Sequence, residues 1–186
     1  MIDKKIIEKL KNGGIGILPT DTIYGLVGSA LVPKTVERIY RLRSRDPKKP
    51  MIILIGDFSD LKKFDIKIDE KMRMILKKYW PGKMSIILPC EDAKFSYLHR
   101  GGKSLAFRLP DRKDLRDLIK KVGPLVVPSA NIEGAKPSET IEEAKKYFGD
   151  KVDFYIDGGR IKSQPSTVIK INEGQIKVLR QGEIKV

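Results

Sequence analysis

The chain of 186 residues is short of the groups on which much enzyme chemistry runs. It has one cysteine, Cys90, and one histidine, His99. A lone cysteine excludes an internal disulfide, and two such residues cannot build a Cys/His metal cluster. His99 falls in an aperiodic stretch, Cys90 to Gly102, which reads as a loop and makes a Ser-His-Asp relay unexpected. No GxxxxGKS or GxxxxGKT phosphate loop, GxGxxG fingerprint or GxSxG nucleophile elbow occurs. Long apolar runs are missing too. The longest, such as Met84 to Pro89, cannot span a bilayer. Met1-Ile2-Asp3-Lys4-Lys5 leads straight into an amphipathic pattern instead of a signal peptide. The expectation is one cytoplasmic domain over residues 1–186, with no membrane association and no protein-only metal site.

Acidic charge is the other shortage. Against 38 Lys and Arg stand 24 Asp and Glu, a formal net charge of +14. That excess points to an anionic partner: nucleotide, nucleic acid or phosphate. The alternative is a lysine-rich surface of a heat-adapted protein, although Glu has not risen in step.

What is present is an alternation of short strands and helices. Asp3 can cap a helix with Ile6, Ile7 and Leu10 on one face, ended by Gly13-Gly14. Ile15 to Leu18 is an apolar strand stopped by Pro19; Thr20-Asp21-Thr22 follows, and Tyr24 to Gly28 resumes. Pro33 opens a second helix, which runs into the basic stretch Arg41 to Pro50, a candidate lid. Met51 to Ile55 reads as a strand, Asp69 to Tyr79 as a helix, and Ser85 to Leu88 and Ser104 to Leu109 as strands. Asp111 is expected to cap a helix to Lys121 before the strand Leu125 to Val127. Thr140 and Glu143 form a capping box for a helix to Phe148, and Val152 to Ile156 is a strand. A hairpin turning at Asn172-Glu173-Gly174 closes the chain. This order implies a mixed sheet with helices on it.

Several strands end in small polar or basic residues: Thr20 to Thr22, Arg108, Ser129 with Asn131, Ser166 with Thr167, and Arg180. Strand ends are where open α/β sheets hold ligands. Hydroxyls, an amide and the cations Arg43, Arg45, Lys49, Arg108 and Arg180 can hold a phosphate or carboxylate without attacking it. The chemistry expected of them is positioning and electrostatic stabilisation of a polyanion. A tight turn at Asp21, and a solvated loop for Arg43, Arg45 and Lys49, remain the alternatives.

These stretches are linked motifs: Gly14 with PTDTIYGL (Pro19 to Leu26), RSR (Arg43 to Arg45) with Lys49-Pro50, WPGKMS (Trp80 to Ser85), LAFRLP (Leu105 to Pro110), PSAN (Pro128 to Asn131) with Gly134, STV (Ser166 to Val168) and LRQG (Leu179 to Gly182). Together they resemble the YrdC family of threonylcarbamoyl-AMP synthases, nearly end to end. The resemblance implies an α/β fold of α+β type, a twisted mixed sheet flanked by helices around a basic central cleft. It implies that L-threonine, bicarbonate and ATP, with Mg²⁺, are joined into threonylcarbamoyl-AMP with release of pyrophosphate. The product would serve threonylcarbamoyladenosine formation on tRNA through a downstream threonylcarbamoyl transferase machinery. By motif, Thr22, Arg108, Ser129 and Ser166 would hold threonine, Arg108 taking its carboxylate by a two-pronged bond. Arg45, Lys49, Ser104, Asn131, Ser138 and Arg180 would hold ATP. Arg43, Arg45 and Arg108 are the candidate catalytic cations.

Three positions depart from the family pattern. Arg43 stands in place of a usual Lys, Ser85 in place of Thr, and Glu133 in place of Ser, the last bringing a negative charge to the nucleotide side. The chain also stops soon after Arg180, as in the short single-domain form. Two rival readings are an RNA- or tRNA-binding module of the same fold without catalysis, and a paralogue that hydrolyses the adenylate. The scarcity of aromatics near the basic run argues against the first.

Overall fold

The computed structural model describes residues 3–172 and 175–186. Helix α1 (Lys4–Lys11) starts where Asp3 accepts the Lys5 amide at 2.9 Å, and it buries Leu10. Strands β1 (Gly16–Pro19) and β2 (Tyr24–Ser29) pair antiparallel about the polar turn that opens at Thr20. Helix α2 (Pro33–Arg43) begins at Pro33, whose missing N–H is not needed in a first turn, and ends at Ser44 with φ 49°. Then come β3 (Ile52–Leu54), α3 (Glu70–Tyr79), β4 (Met84–Pro89), α4 (Ser96–His99) and β5 (Ser104–Arg108). The chain continues through α5 (Lys113–Val122), β6 (Leu125–Val126), α6 (Ile141–Phe148), β7 (Phe154–Tyr155), β8 (Thr167–Asn172) and β9 (Gln175–Arg180).

Four expectations about these elements change. Phe58–Phe64 forms a 3-10 helix, capped by Asp57 with Asp60 answering, where no element was read. The stretch Cys90 to Gly102 is not wholly loop: it holds a 3-10 turn, Ala93–Phe95, and α4. One-turn helices are too short to show a period. Asp111 does not cap α5. Arg112 occupies the cap position without a side-chain bond, and the Asp111 amide instead donates to Asp21 Oδ2 at 3.0 Å. At α6, Thr140 does accept the Glu143 amide, but Glu143 answers to the amide of Glu139, one residue before the cap. The expected hairpin turn includes Glu173 and Gly174, which lie outside the described residues.

The strands form one mixed sheet in the order β7-β1-β2-β6-β3-β5-β4-β8-β9. Pairs β1/β7, β3/β5 and β4/β8 are parallel and the others antiparallel. Side chains alternate across it, as strand geometry requires. Ile17, Leu26 and Ile53 join the larger core cluster with Val36 and Ile39 of α2. Their neighbours Leu18, Val27 and Leu54 join a second cluster with Leu10 of α1 and Leu115, Leu118 and Ile119 of α5. Helices α1 and α5 cover only part of this second face. Beyond them, Ile52, Val127, Ala106, Ile87 and Val168 are the floor of a cavity.

Candidate active site

The cavity measures about 470 Å³. Residues 104, 106 and 108 of β5 all line it, as period-two alternation places them on one face. The site therefore lies on the face of the sheet, not simply outside the strand ends as the sequence pattern suggests. The doubly wound rule places ligands at the carboxyl ends of parallel strands, and this sheet is mixed.

One wall is the turn after β1. The Thr20 hydroxyl donates to the Ile23 carbonyl at 2.7 Å and accepts the amides of Thr22 and Ile23 at 3.1 and 3.2 Å. Arg112 clamps the turn from outside by donating to the Pro19 carbonyl at 3.2 Å. Thr22 and Arg108 are nearly fully buried and both line the cavity. Arg108 donates from Nη1 to Asp21 Oδ1 at 2.7 Å and from Nη2 to the Thr22 hydroxyl at 3.4 Å. Its Nε is buried without a partner. An unmet buried donor costs about 1–3 kcal/mol, a strain that the fold holds at this cation.

A second wall is the loop after β6. Arg43, at the end of α2, donates to the Asn131 carbonyl at 2.9 Å, the Ser129 hydroxyl at 3.2 Å and Asn131 Oδ1 at 3.3 Å. The Asn131 amide nitrogen donates to the carbonyls of Ile132 and Ala135, and the Ser138 hydroxyl donates to the Ala130 carbonyl at 2.6 Å. The third side is the approach to β8, where the Ser166 hydroxyl lies 2.8 Å from that of buried Ser85. Arg180 folds back from β9 to donate to the Ser166 carbonyl at 2.7 Å.

The charged lining is four guanidiniums, Arg43, Arg45, Arg108 and Arg180; among the described residues no carboxylate lines the cavity. These cations disfavour one another. Burial, and then the charge of Arg45, lowers the Arg43 pKa to about 10. Burial lowers that of Arg180, with Arg108 and Arg45 adding to it. Burial also lowers that of Arg108, opposed by Asp21. An anion placed among them would relieve both repulsion and desolvation.

Of the residues singled out from sequence, Thr22, Arg43, Arg45, Ser104, Arg108, Ser129, Ser166 and Arg180 all line this one cavity. Asn131 and Ser138 are buried in the loop behind it; Ser138 and the Asn131 amide nitrogen bond backbone carbonyls, and Asn131 Oδ1 takes Arg43. Lys49 stands exposed at the rim, paired with Glu133 at 3.1 Å. Glu133 also accepts the Asp46 amide at 2.6 Å and lies 3.8 Å from Arg45 Nη1. Its negative charge thus lies on the cations expected to meet phosphates and ties residues 45–49 to the loop after β6. Asp21, unsettled in the sequence, meets the cation Arg108. The contribution of Ser85 through Ser166, the hub role of Thr20 and the clamp by Arg112 were not foreseen. For Thr20, the local signal was its place at a strand end before two polar residues, as in a side-chain-bonded turn.

Comparison with known proteins follows the same outline. The Sua5/YciO/YrdC family model, described as "Telomere recombination", matches residues 8–182. A relative from Methanocaldococcus jannaschii is 35% identical over 98% of this chain and 88% of its own length. The threonylcarbamoyl-AMP synthase of Pyrococcus abyssi is 34% identical over 93% of this chain, which spans 52% of that protein. The crystal structure of P. abyssi Sua5 complexed with L-threonine superposes with a TM-score of 0.87 at 30% identity, covering 96% of this chain and 53% of that one.

Proposed function

The chain belongs to the Sua5/YciO/YrdC family, and from that premise we propose that it is a threonylcarbamoyl-AMP synthase. Its substrates are L-threonine, bicarbonate and ATP, and its products threonylcarbamoyl-AMP and pyrophosphate. The observation that carries this reading is the lining: four guanidiniums and a set of hydroxyls, with neither a carboxylate nor a histidine or cysteine nucleophile among the described residues. Such a site suits a reaction whose nucleophile arrives with the substrate. The threonine amine takes up the carboxyl carbon of bicarbonate with loss of water, giving a carbamate. A carbamate oxygen then bonds to the α-phosphorus of ATP as the bond to the β-phosphate oxygen breaks, and pyrophosphate leaves.

In this reading Thr22, Arg108, Ser129 and Ser166 hold threonine, with Arg108 meeting its carboxylate. Arg45, Ser104 and Arg180 meet the nucleotide, and Lys49 joins them from the rim. Asn131 and Ser138 act indirectly, by shaping the loop that presents Ser129. Arg43 braces that loop and adds to the positive field, and Arg45 and Arg108 bear directly on the polyanion as charge builds at the α-phosphate. Mg²⁺ would enter on the triphosphate. Among the described residues no group of three or more His, Cys, Asp or Glu could hold the ion. Magnesium is commonly bound through substrate phosphates and water.

The product is a mixed anhydride suited to transfer of its threonylcarbamoyl group to adenosine of tRNA by a downstream transferase. The deciding experiment measures pyrophosphate release from ATP with and without L-threonine and bicarbonate. Release that needs both supports the synthase. Release that ignores threonine refutes it, and tight, steeply salt-dependent RNA binding without such release would favour an RNA-binding module. Among the described residues no helix is long and apolar enough to cross a membrane.

A further inference from the structure

Asp21 is built into the site more firmly than a turn residue needs to be. Both its side chain and that of Arg108 are 5% exposed. One carboxylate oxygen takes Arg108 Nη1 at 2.7 Å, and the other accepts the Asp111 amide at 3.0 Å, so both oxygens are engaged. The turn that carries it is held by the Thr20 hydroxyl and by Arg112. Asp21 does not line the main cavity, so it is not placed to touch a ligand there. It acts on a guanidinium that lines the cavity and is almost wholly buried.

We propose that Asp21 is a positioning residue for the substrate carboxylate: by taking Nη1 of Arg108, while Thr22 takes Nη2, it fixes the plane of a guanidinium that lines the cavity and so the way that cation meets the ligand. A guanidinium has two edges able to grip a carboxylate by parallel bonds. Two bonds, from Nη1 to Asp21 and from Nη2 to Thr22, hold the guanidinium in one orientation, so which edge it turns to the cavity is fixed. The inference rests on the synthase reading and adds to it a residue and a direction of approach.

The test compares wild type with Asp21→Asn in the pyrophosphate-release assay, using L-threonine and its alcohol analogue threoninol, which keeps the amine and lacks the carboxylate. Asparagine keeps the shape but must turn an amide N–H₂ toward either Arg108 or the Asp111 amide, donor against donor. Asp21→Asn is expected to raise the threonine KM by about tenfold or more, leave the ATP KM within about twofold and cut the preference for threonine over threoninol by about tenfold. A role confined to stability would leave that preference intact. Equal loss on both substrates, or equal rises in the threonine and ATP KM, overturns the proposal while the synthase reading stands. Should Asp21→Asn fail to fold, Asp21→Glu, which keeps the charge but displaces the guanidinium, is read the same way; failure of both to fold makes the pair structural and overturns the proposal. Wild type without threonine-dependent release overturns the synthase reading and this inference together.

Discussion

Replacing Arg43 by lysine tests whether this position needs a planar fork or only a charge. The side chain spans three acceptors: the Asn131 carbonyl at 2.9 Å, the Ser129 hydroxyl at 3.2 Å and Asn131 Oδ1 at 3.3 Å. Its own carbonyl accepts the Glu133 amide at 2.8 Å, so α2 and the loop after β6 are tied at both ends of the residue. A lysine keeps the charge but brings one nitrogen, not a planar fork, and can satisfy only part of this set. The buried acceptor it abandons costs roughly 1–3 kcal/mol. The lost bonds to Ser129 and Asn131 Oδ1 share one nitrogen and are long, so they add little. We expect Arg43→Lys to lose about 2 kcal/mol, which for a chain of this size lowers Tm by roughly 4–8 °C. Thermal unfolding followed by circular dichroism, with urea titration as a second measure, checks it. A Tm within about 1 °C of wild type would mean that the fork does not brace the loop and that position 43 needs only a charge.

Three further outcomes are expected. Gly16→Ala would drive a Cβ into the ring of Phe154 across the β1/β7 pair, and overpacking of this kind costs about 1–3 kcal/mol; urea titration should show a lower midpoint with an unchanged slope. Glu139, beside Lys136 and Arg160, has its pKa held down from 4.5 to about 2. A depressed carboxylate stabilises the fold above its unfolded pKa and stops doing so as pH falls through its folded one, so that contribution should fade between pH 4.5 and 2. The acid limb of a stability-versus-pH profile should be flatter in Glu139→Gln; an unchanged limb would show the ion pairs to be inert. Glu133→Ser frees Lys49 and Arg45 from a competing carboxylate, and ATP should bind roughly two- to fivefold tighter by calorimetry. Weaker ATP binding would mean that holding residues 45–49 in place matters more than freeing their charge.

Much of the layout was legible because its signals are local. Asp3, Pro33 and Thr140 mark helix starts through bonds or dihedrals within a few residues, and all three stand where helices begin. The strands of Ile, Leu and Val separated by proline and glycine were readable for the same reason. The candidate residues were readable as types: hydroxyls and guanidiniums suited to anions. Their division of labour was not. Asn131 and Ser138 look like ligand groups in a motif, yet here they bond within the protein, to the backbone of their own loop and, at Asn131 Oδ1, to Arg43. Asp111 looks like a cap, yet its amide is drawn to a carboxylate from a distant turn.

The sequence by itself determined the helix starts at Asp3, Pro33 and Thr140, the alternation of strands, the positive charge and the chemical classes a ligand could belong to. Each of these depends on residues near one another in the chain, or on composition alone. The tertiary structure decided which face of the sheet stays open, that four guanidiniums share one cavity, and that Asp21 belongs to Arg108, 87 residues away. Those outcomes depend on strand order and register. A one-residue slip would turn every side chain of a strand to the other face, and no local pattern encodes which distant partner fixes it.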